Sequence, residues 1–223
     1  MMNLRAIIFD LDGTLLDTIE DLALSVNAVL AGYGLEEHPV DHYRYYVGDG
    51  VDMLVKRAFP PIMTGEENIN NLVCAVIDEY SRRWSDHTVP YAGIPELLDF
   101  LENHNIPMAI FSNKPHEFAV LTVEKLLPGR NFVKVLGIGS DMPRKPNPLG
   151  ALQIAKMMKL KPAEIVYLGD TGTDMKTALA GEFYPAGALW GFRQADELLE
   201  GGAKFLADNP IDVAELFHIQ QEV

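Results

Sequence analysis

A single cysteine, Cys74, stands in the whole chain of 223 residues. No internal disulfide can hold this fold, and a reducing cytoplasmic setting is the expected one. Cys74 lies in VCAVI on a predicted helix and reads as buried filler. Basic residues are scarce: 18 Lys and Arg stand against 32 Asp and Glu, a net charge of −14. That imbalance argues against nucleic acid or an anionic membrane surface as a partner. An anionic substrate would need cations gathered locally. Long apolar runs are also missing, and none approaches the roughly 18 residues of a membrane span. The first ten residues, MMNLRAIIFD, carry one Arg and a short apolar run without a small-residue cleavage site. They read as a first strand, not a secretion signal. What remains, 48% hydrophobic and 22% charged residues, is the make-up of an ordinary globular protein. The length suits one large domain or a main domain with a smaller one.

Five short apolar runs end in small or polar residues: AIIFDLDG (6–13), PMAIFSNKP (107–115), VKVLGIGSD (133–141), EIVYLGDTGTD (164–174) and PAGALWG (185–191). Between them lie stretches with apolar residues at helical spacing: 93–105, 116–127, 147–160 and 174–181. Strands alternating with helices predict βαβ units, hence an α/β fold with a doubly wound parallel sheet covered on both faces. In such sheets ligands bind outside the carboxyl ends of the strands. Residues 15–90 break the rhythm. IEDLALSVNAVLAGYG (19–34) predicts a helix, DHYRYYVGDGVDMLVKRAF (41–59) two short helices broken at Gly48-Asp49-Gly50, and EENINNLVCAVIDEYSRRWSDH (66–87) one long helix. The expected organisation is an α/β core from 1–14 and 91–223, with a helical insert over 15–90.

Chemistry concentrates at the ends of the apolar runs. Asp10 and Asp12 stand two apart at a strand end, where both side chains can point to one side. Two like charges so close repel, so one takes up a proton or a cation lies between them. Hard oxygen ligands of this kind suit Mg²⁺. DG is also a common turn signal, so DLDG alone fits a solvated turn as well as a site. Asp170 follows the run IVYL and could complete a metal site with Asp10. Asp174 opens a helical pattern, where an aspartate is commonly a cap. Ser112 and Asn113 follow MAIF, placing a hydroxyl and an amide where phosphate oxygens could be held. Lys145 sits in PRKPNP, whose prolines restrict the backbone on either side and would aim the ammonium at a fixed point. Together these are the parts of phosphoryl transfer, which relies on positioning and charge stabilisation and can use an Asp carboxylate as nucleophile.

DLDGT (10–14), SN (112–113), KP (145–146) and GDTGTD (169–174) occur in the order found in the haloacid dehalogenase superfamily of phosphohydrolases, which this sequence resembles over nearly its whole length. The insert falls where that family places a helical cap. The tail ALWGFRQADELLEGGAKFLADNPIDVAEL (188–216) is similar to the phosphoglycolate phosphatase branch. The resemblance implies Asp10 as nucleophile forming an aspartyl-phosphate, and Asp12 as acid to the leaving alkoxide and base to the hydrolytic water. It implies Mg²⁺ held by the Asp10 carboxylate, the Asp12 backbone carbonyl and Asp170, with Asp174 supporting from behind. Ser112 and Asn113 would bind phosphoryl oxygens, and Lys145 would neutralise charge between Asp10 and phosphate. Family dehalogenases lack the second aspartate, because a halide needs no proton; Asp12 therefore points to a phosphate ester.

The cap stretch YRYYVGDGVDMLVKR (43–57) reads in two ways, as a solvated helix-turn-helix surface or as a loop dipping towards substrate. In the second reading Gly48, Asp49 and Gly50 form the loop, and Lys56 or Arg57 meets a substrate anion. His38 and His42 are four apart, but Pro39 argues against a helical metal pair. Arg193 in WGFR is expected near the sheet edge. The activity implied is hydrolysis of a small phosphorylated metabolite, with 2-phosphoglycolate as the first candidate. A phosphosugar mutase of the β-phosphoglucomutase type is the alternative, and a monomer and a homodimer are both open.

Overall fold

The strand AIIF, β1 (Ala6–Phe9), has no exposed residue. It pairs in parallel with β4 (Met108–Pro115) on one side and β6 (Ile165–Gly169) on the other. The full order in this computed structural model is β5-β4-β1-β6-β7-β8, with β5 at Phe132–Ile138, β7 at Tyr184–Ala188 and β8 at Phe205–Ala207. The structure describes residues 3–65, 68–139 and 142–217. Ser140 and Asp141, at the end of the third expected strand, lie outside them, as do Glu66 and Glu67 at the start of the long expected helix.

Because side chains alternate along a strand, β1 serves two cores. Ile7 and Phe9 join a cluster with Leu97, Leu98 and Leu101 of α4 (Ile94–Asn103) and Ala119 and Val123 of α5 (His116–Leu126). Ala6 and Ile8 face the other way, onto Ala151, Ile154 and Ala155 of α6 (Leu149–Met158) and Ala178 of α7 (Gly172–Ala180). The expected doubly wound sheet is thus present, helices on both faces. Each fully buried leucine of α4 contributes about 1.5–3 kcal/mol. From β1 the order runs outward to β4 and β5, then returns past β1 to β6, so the reversal falls at the carboxyl end of β1, the place where such sheets bind ligands.

Residues 16–90 lie apart from this sheet. A two-residue ribbon, β2 (Leu16–Asp17) with β3 (Val89–Pro90), joins the two connections to the insert. Within the insert, α1 (Ile19–Gly32), α2 (Val51–Ala58) and α3 (Ile69–Arg83) share their own apolar cluster. Ile19, Ala23, Val26 and Leu30 form the buried stripe of α1, and Leu72, Val76 and Tyr80 that of α3. Cys74 corrects the sequence expectation. It is exposed, because two residues past Leu72 turns it some 200° around the helix, away from the stripe. The ribbon, β8 and the helix α8 (Ala195–Gly201) were not expected. No helix among the described residues is long and apolar enough to cross a membrane.

Candidate active site

Asp10 follows β1 directly, and its N–H still donates to the Leu168 carbonyl at 2.9 Å, so strand pairing holds its backbone. One of its carboxylate oxygens accepts from the Leu11 N–H at 2.7 Å and lies 2.9 Å from the Lys145 ammonium. Lys145 Nζ also donates to Asp174 at 2.7 Å. The Lys145 side chain is buried, and its N–H donates to the Asn113 amide oxygen at 2.8 Å. Asp174, in the first turn of α7, engages two partners. One oxygen caps α7 by accepting from the Thr171 N–H and hydroxyl at 3.1 and 2.6 Å, while the other meets Lys145.

Asp170 comes in from the end of β6. The Thr14 hydroxyl donates to one of its oxygens at 2.9 Å and the Phe192 N–H to the other at 2.8 Å. Two glycines let it sit there. A Cβ on Gly13, whose φ is +84°, would stand 2.3 Å from an Asp170 oxygen, and one on Gly191 would stand 2.3 Å from the Asp170 Cβ. Neither position tolerates a side chain without displacing the aspartate.

Oxygens of Asp10, Asp170 and Asp174, one from each, lie within 4.8 Å of one another, all three residues buried. Burial pushes the Asp10 carboxyl up to about 7, with Asp174 and Asp12 adding to the rise and Lys145 opposing it. Burial likewise raises Asp170 to about 8, helped by Asp174 and Asp10. Burial works against the Lys145 charge, but Asp10 and Asp174 outweigh it and hold the ammonium protonated well above its ordinary range. Three carboxylates crowd together and the one lysine pairs with only two of them, Asp10 and Asp174, so the remaining charge is what a divalent cation would offset. The donors are all oxygens, which fits a hard ion such as Mg²⁺.

Asp12 faces a different partner. Its two oxygens lie 3.0 and 3.2 Å from the ammonium of Lys114, which also donates to the Tyr80 hydroxyl at 2.6 Å. These three residues line a cleft that opens beside Asp10 and is walled largely by apolar side chains, among them Leu22, Val47 and Leu54. Ser112 lies on its floor, with its oxygen accepting from the Lys114 N–H at 3.3 Å. Asn113 lines the same cleft, but its amide is committed to structure: it accepts from Lys145 and donates to the Gly48 carbonyl at 3.0 Å.

The loop before α2 dips onto the sheet edge through its backbone. Gly48 and Gly50 both have positive φ, 118° and 94°, which is what glycine permits at low cost. The Arg193 guanidinium donates to the Val47 carbonyl at 3.0 Å, and the Thr173 hydroxyl to the Asp49 carboxylate at 2.7 Å. The loop's cations do not reach the cleft. Lys56 is exposed, and Arg57 pairs with Asp49 at 2.5 Å on the loop's other side. His38 contacts the Ala58 carbonyl at 2.8 Å through its ring, and its ring centroid lies 6.5 Å from that of His42. Lys114, Tyr80 and Gly191 are the site residues that sequence reasoning missed. A lysine inside the strand run MAIFSNKP was the available signal, because a buried lysine needs a carboxylate nearby.

Residues 7–183 match the family of haloacid dehalogenase-like hydrolases. The chain is 29% identical to phosphoglycolate phosphatase 1 of Pseudomonas aeruginosa, over 94% of this chain and 78% of that one. It is 30% identical to the phosphoglycolate phosphatase of Psychrobacter arcticus, over 88% of each. A crystal structure of a candidate phosphoglycolate phosphatase from Lactobacillus delbrueckii subsp. bulgaricus superposes with a TM-score of 0.90 at 28% identity, covering 96% of this chain and 98% of that one. The chain belongs to the haloacid dehalogenase-like hydrolases. Its relatives place it among the phosphatases of that family.

Proposed function

We propose that the protein is a Mg²⁺-dependent phosphatase that hydrolyses a small phosphomonoester through an aspartyl-phosphate on Asp10. The observation that carries this reading is the buried cluster of Asp10, Asp170 and Asp174 at the carboxyl end of β1, with the Lys145 ammonium on Asp10 and Asp174. Mg²⁺ would be held by the carboxylates of Asp10 and Asp170 with the Asp12 backbone carbonyl, Asp174 supporting, and would supply positive charge facing the phosphoryl group. Residues 15–90 act as a cap over the site, which their separate apolar cluster and the thin β2–β3 ribbon support.

The chain's own groups divide the work. An Asp10 oxygen attacks phosphorus as the bond to the leaving oxygen breaks. Asp12 donates a proton to that oxygen, releasing the alcohol. Asp12, now a carboxylate, takes a proton from a water that attacks the aspartyl-phosphate. The bond from phosphorus to Asp10 then breaks, giving inorganic phosphate and restoring both aspartates. Lys145 favours the ionised form of Asp10 and attracts the phosphoryl oxygens, and the Ser112 hydroxyl donates to one of them.

The relatives' names support 2-phosphoglycolate as the first substrate. The test measures phosphate release from it, and from p-nitrophenyl phosphate, with Mg²⁺ and with EDTA. Wild type with Mg²⁺ releases phosphate, while EDTA and Asp10→Asn each abolish release. Equal release by wild type and Asp10→Asn overturns the reading. Conversion of β-glucose 1-phosphate to the 6-phosphate with little free phosphate would put the mutase in its place.

A further inference from the structure

We propose that Lys114, braced by Tyr80, is the specificity residue for the leaving group, selecting phosphomonoesters with a carboxylate on the carbon that bears the ester oxygen. This rests on the phosphatase reading above, and it assigns recognition to a core strand instead of the cap.

The argument begins at the leaving oxygen, which must come within hydrogen-bond reach of Asp12 to receive its proton. A carboxylate on the neighbouring carbon is only two bonds from that oxygen. It therefore lands beside whatever Asp12 itself touches, and Asp12 touches Lys114 at 3.0 and 3.2 Å. Lysine offers three donors on one nitrogen, and a carboxylate can share them with Asp12 as a second acceptor.

Lys114 is also the cation left for this task. Among the described residues lining the cleft it is the only Lys or Arg. Lys145 lies on the phosphoryl side and is engaged by Asp10 and Asp174. Arg44 donates to the Gly191 carbonyl, Arg57 pairs with Asp49, and Arg144 pairs with Asp52. None of them lines the cleft.

The setting strengthens the interaction. The Lys114 side chain is 3% exposed, and Leu22, Val47, Leu54 and Val76 are among the walls around it. Charge attraction is stronger in such surroundings than in water, and an anionic leaving group without a cation would be costly to bury there. Tyr80 fixes the ammonium from the other side, with its hydroxyl at 2.6 Å and its ring centroid 4.7 Å away. Tyr80 comes from α3, so the reading pair forms only when insert and core are together.

The experiment compares kcat/KM for 2-phosphoglycolate and for ethyl phosphate, which has the same carbon count without the carboxylate, with p-nitrophenyl phosphate as a third substrate. Wild type prefers 2-phosphoglycolate over ethyl phosphate. Lys114→Met lowers kcat/KM for 2-phosphoglycolate by about 10- to 100-fold more than it lowers kcat/KM for ethyl phosphate, the excess mainly through KM. Lys114→Arg recovers part of the loss. Tyr80→Phe, which keeps the ring and its packing, lowers the same substrate selectively and serves if the Met variant does not fold. Lys56→Ala leaves the preference unchanged. An equal fall for both alkyl substrates in Lys114→Met overturns the proposal and makes the lysine a positioning residue for Asp12. Wild type that hydrolyses p-nitrophenyl phosphate but does not prefer the carboxylated ester overturns this proposal and leaves the phosphatase reading standing. No turnover of any ester overturns both.

Discussion

Asp10 and Asp12 are two residues apart, yet they sit in different surroundings. Asp10 is buried against Lys145, while Asp12 is partly exposed and held by Lys114. If Asp12 moves the proton, its loss must matter most where the leaving group is a poor one. Asp12→Asn is expected to slow release of an alkyl alcohol by about 10²- to 10⁴-fold. Nitrophenolate leaves without a proton, so the same variant should release it rapidly once and then stall at hydrolysis of the acyl phosphate. Stopped-flow absorbance would record this as a burst close to one equivalent followed by slow turnover. Equal slowing of both substrates with no burst would remove Asp12 from the role. The pair was legible because charge at the end of a buried apolar run is costly. Lys114 was less so, since its meaning depends on Tyr80, which comes from another element 34 positions away.

Elements carry the second kind of dependence, the joining of insert to sheet. Asp21 lies in the first turn of α1 and is fully buried. It accepts from the N–H groups of His87 and Thr88 at 3.0 and 2.9 Å, from the Thr88 hydroxyl at 2.6 Å, and contacts the His87 ring at 2.9 Å. One carboxylate thus ties the outgoing connection of the insert to the returning one. Asp21→Ala would strand these buried donors and is expected to destabilise the protein by about 2–4 kcal/mol. Urea unfolding checks it; a loss under about 0.5 kcal/mol would mean the tie is replaced by water. In the sequence Asp21 looks like any acidic residue in a first helical turn, and its partners lie 66 and 67 positions away. The longer elements were legible for a simpler reason: AIIF, MAIF and IVYL are continuous apolar runs, as strands buried on both faces must be. FLA in β8 and the two-residue ribbon are too short to show any period. Cys74 was misplaced because VCAVI is apolar throughout, and only the phase set by Leu72, Val76 and Tyr80 shows which side is buried.

At the scale of the whole molecule, a chain of net charge −14 gathers still more negative charge at one sheet edge, and pH should therefore govern both its stability and its hold on metal. Asp10 and Asp170 titrate near 7 and near 8 in the folded protein without metal, against an ordinary value of 3.8. A carboxyl raised by folding contributes stability that is fully present below its unfolded value and is lost as pH rises through its folded one. The metal-free protein should thus lose stability between about pH 4 and about pH 8 from these two groups. If Mg²⁺ binds this cluster as proposed, it requires the charged carboxylates, so protons compete with it across the same window. The increase in Tm that Mg²⁺ produces over EDTA should then be small near about pH 5.5 and large near about pH 8.5. Asp170→Asn removes one of the two titrating groups and one proposed ligand, so it should shrink the increase at high pH and flatten its pH dependence. Calorimetric melts of both proteins across that range test the point. An increase of equal size at both ends would mean that Mg²⁺ acts somewhere other than the Asp10–Asp170 cluster.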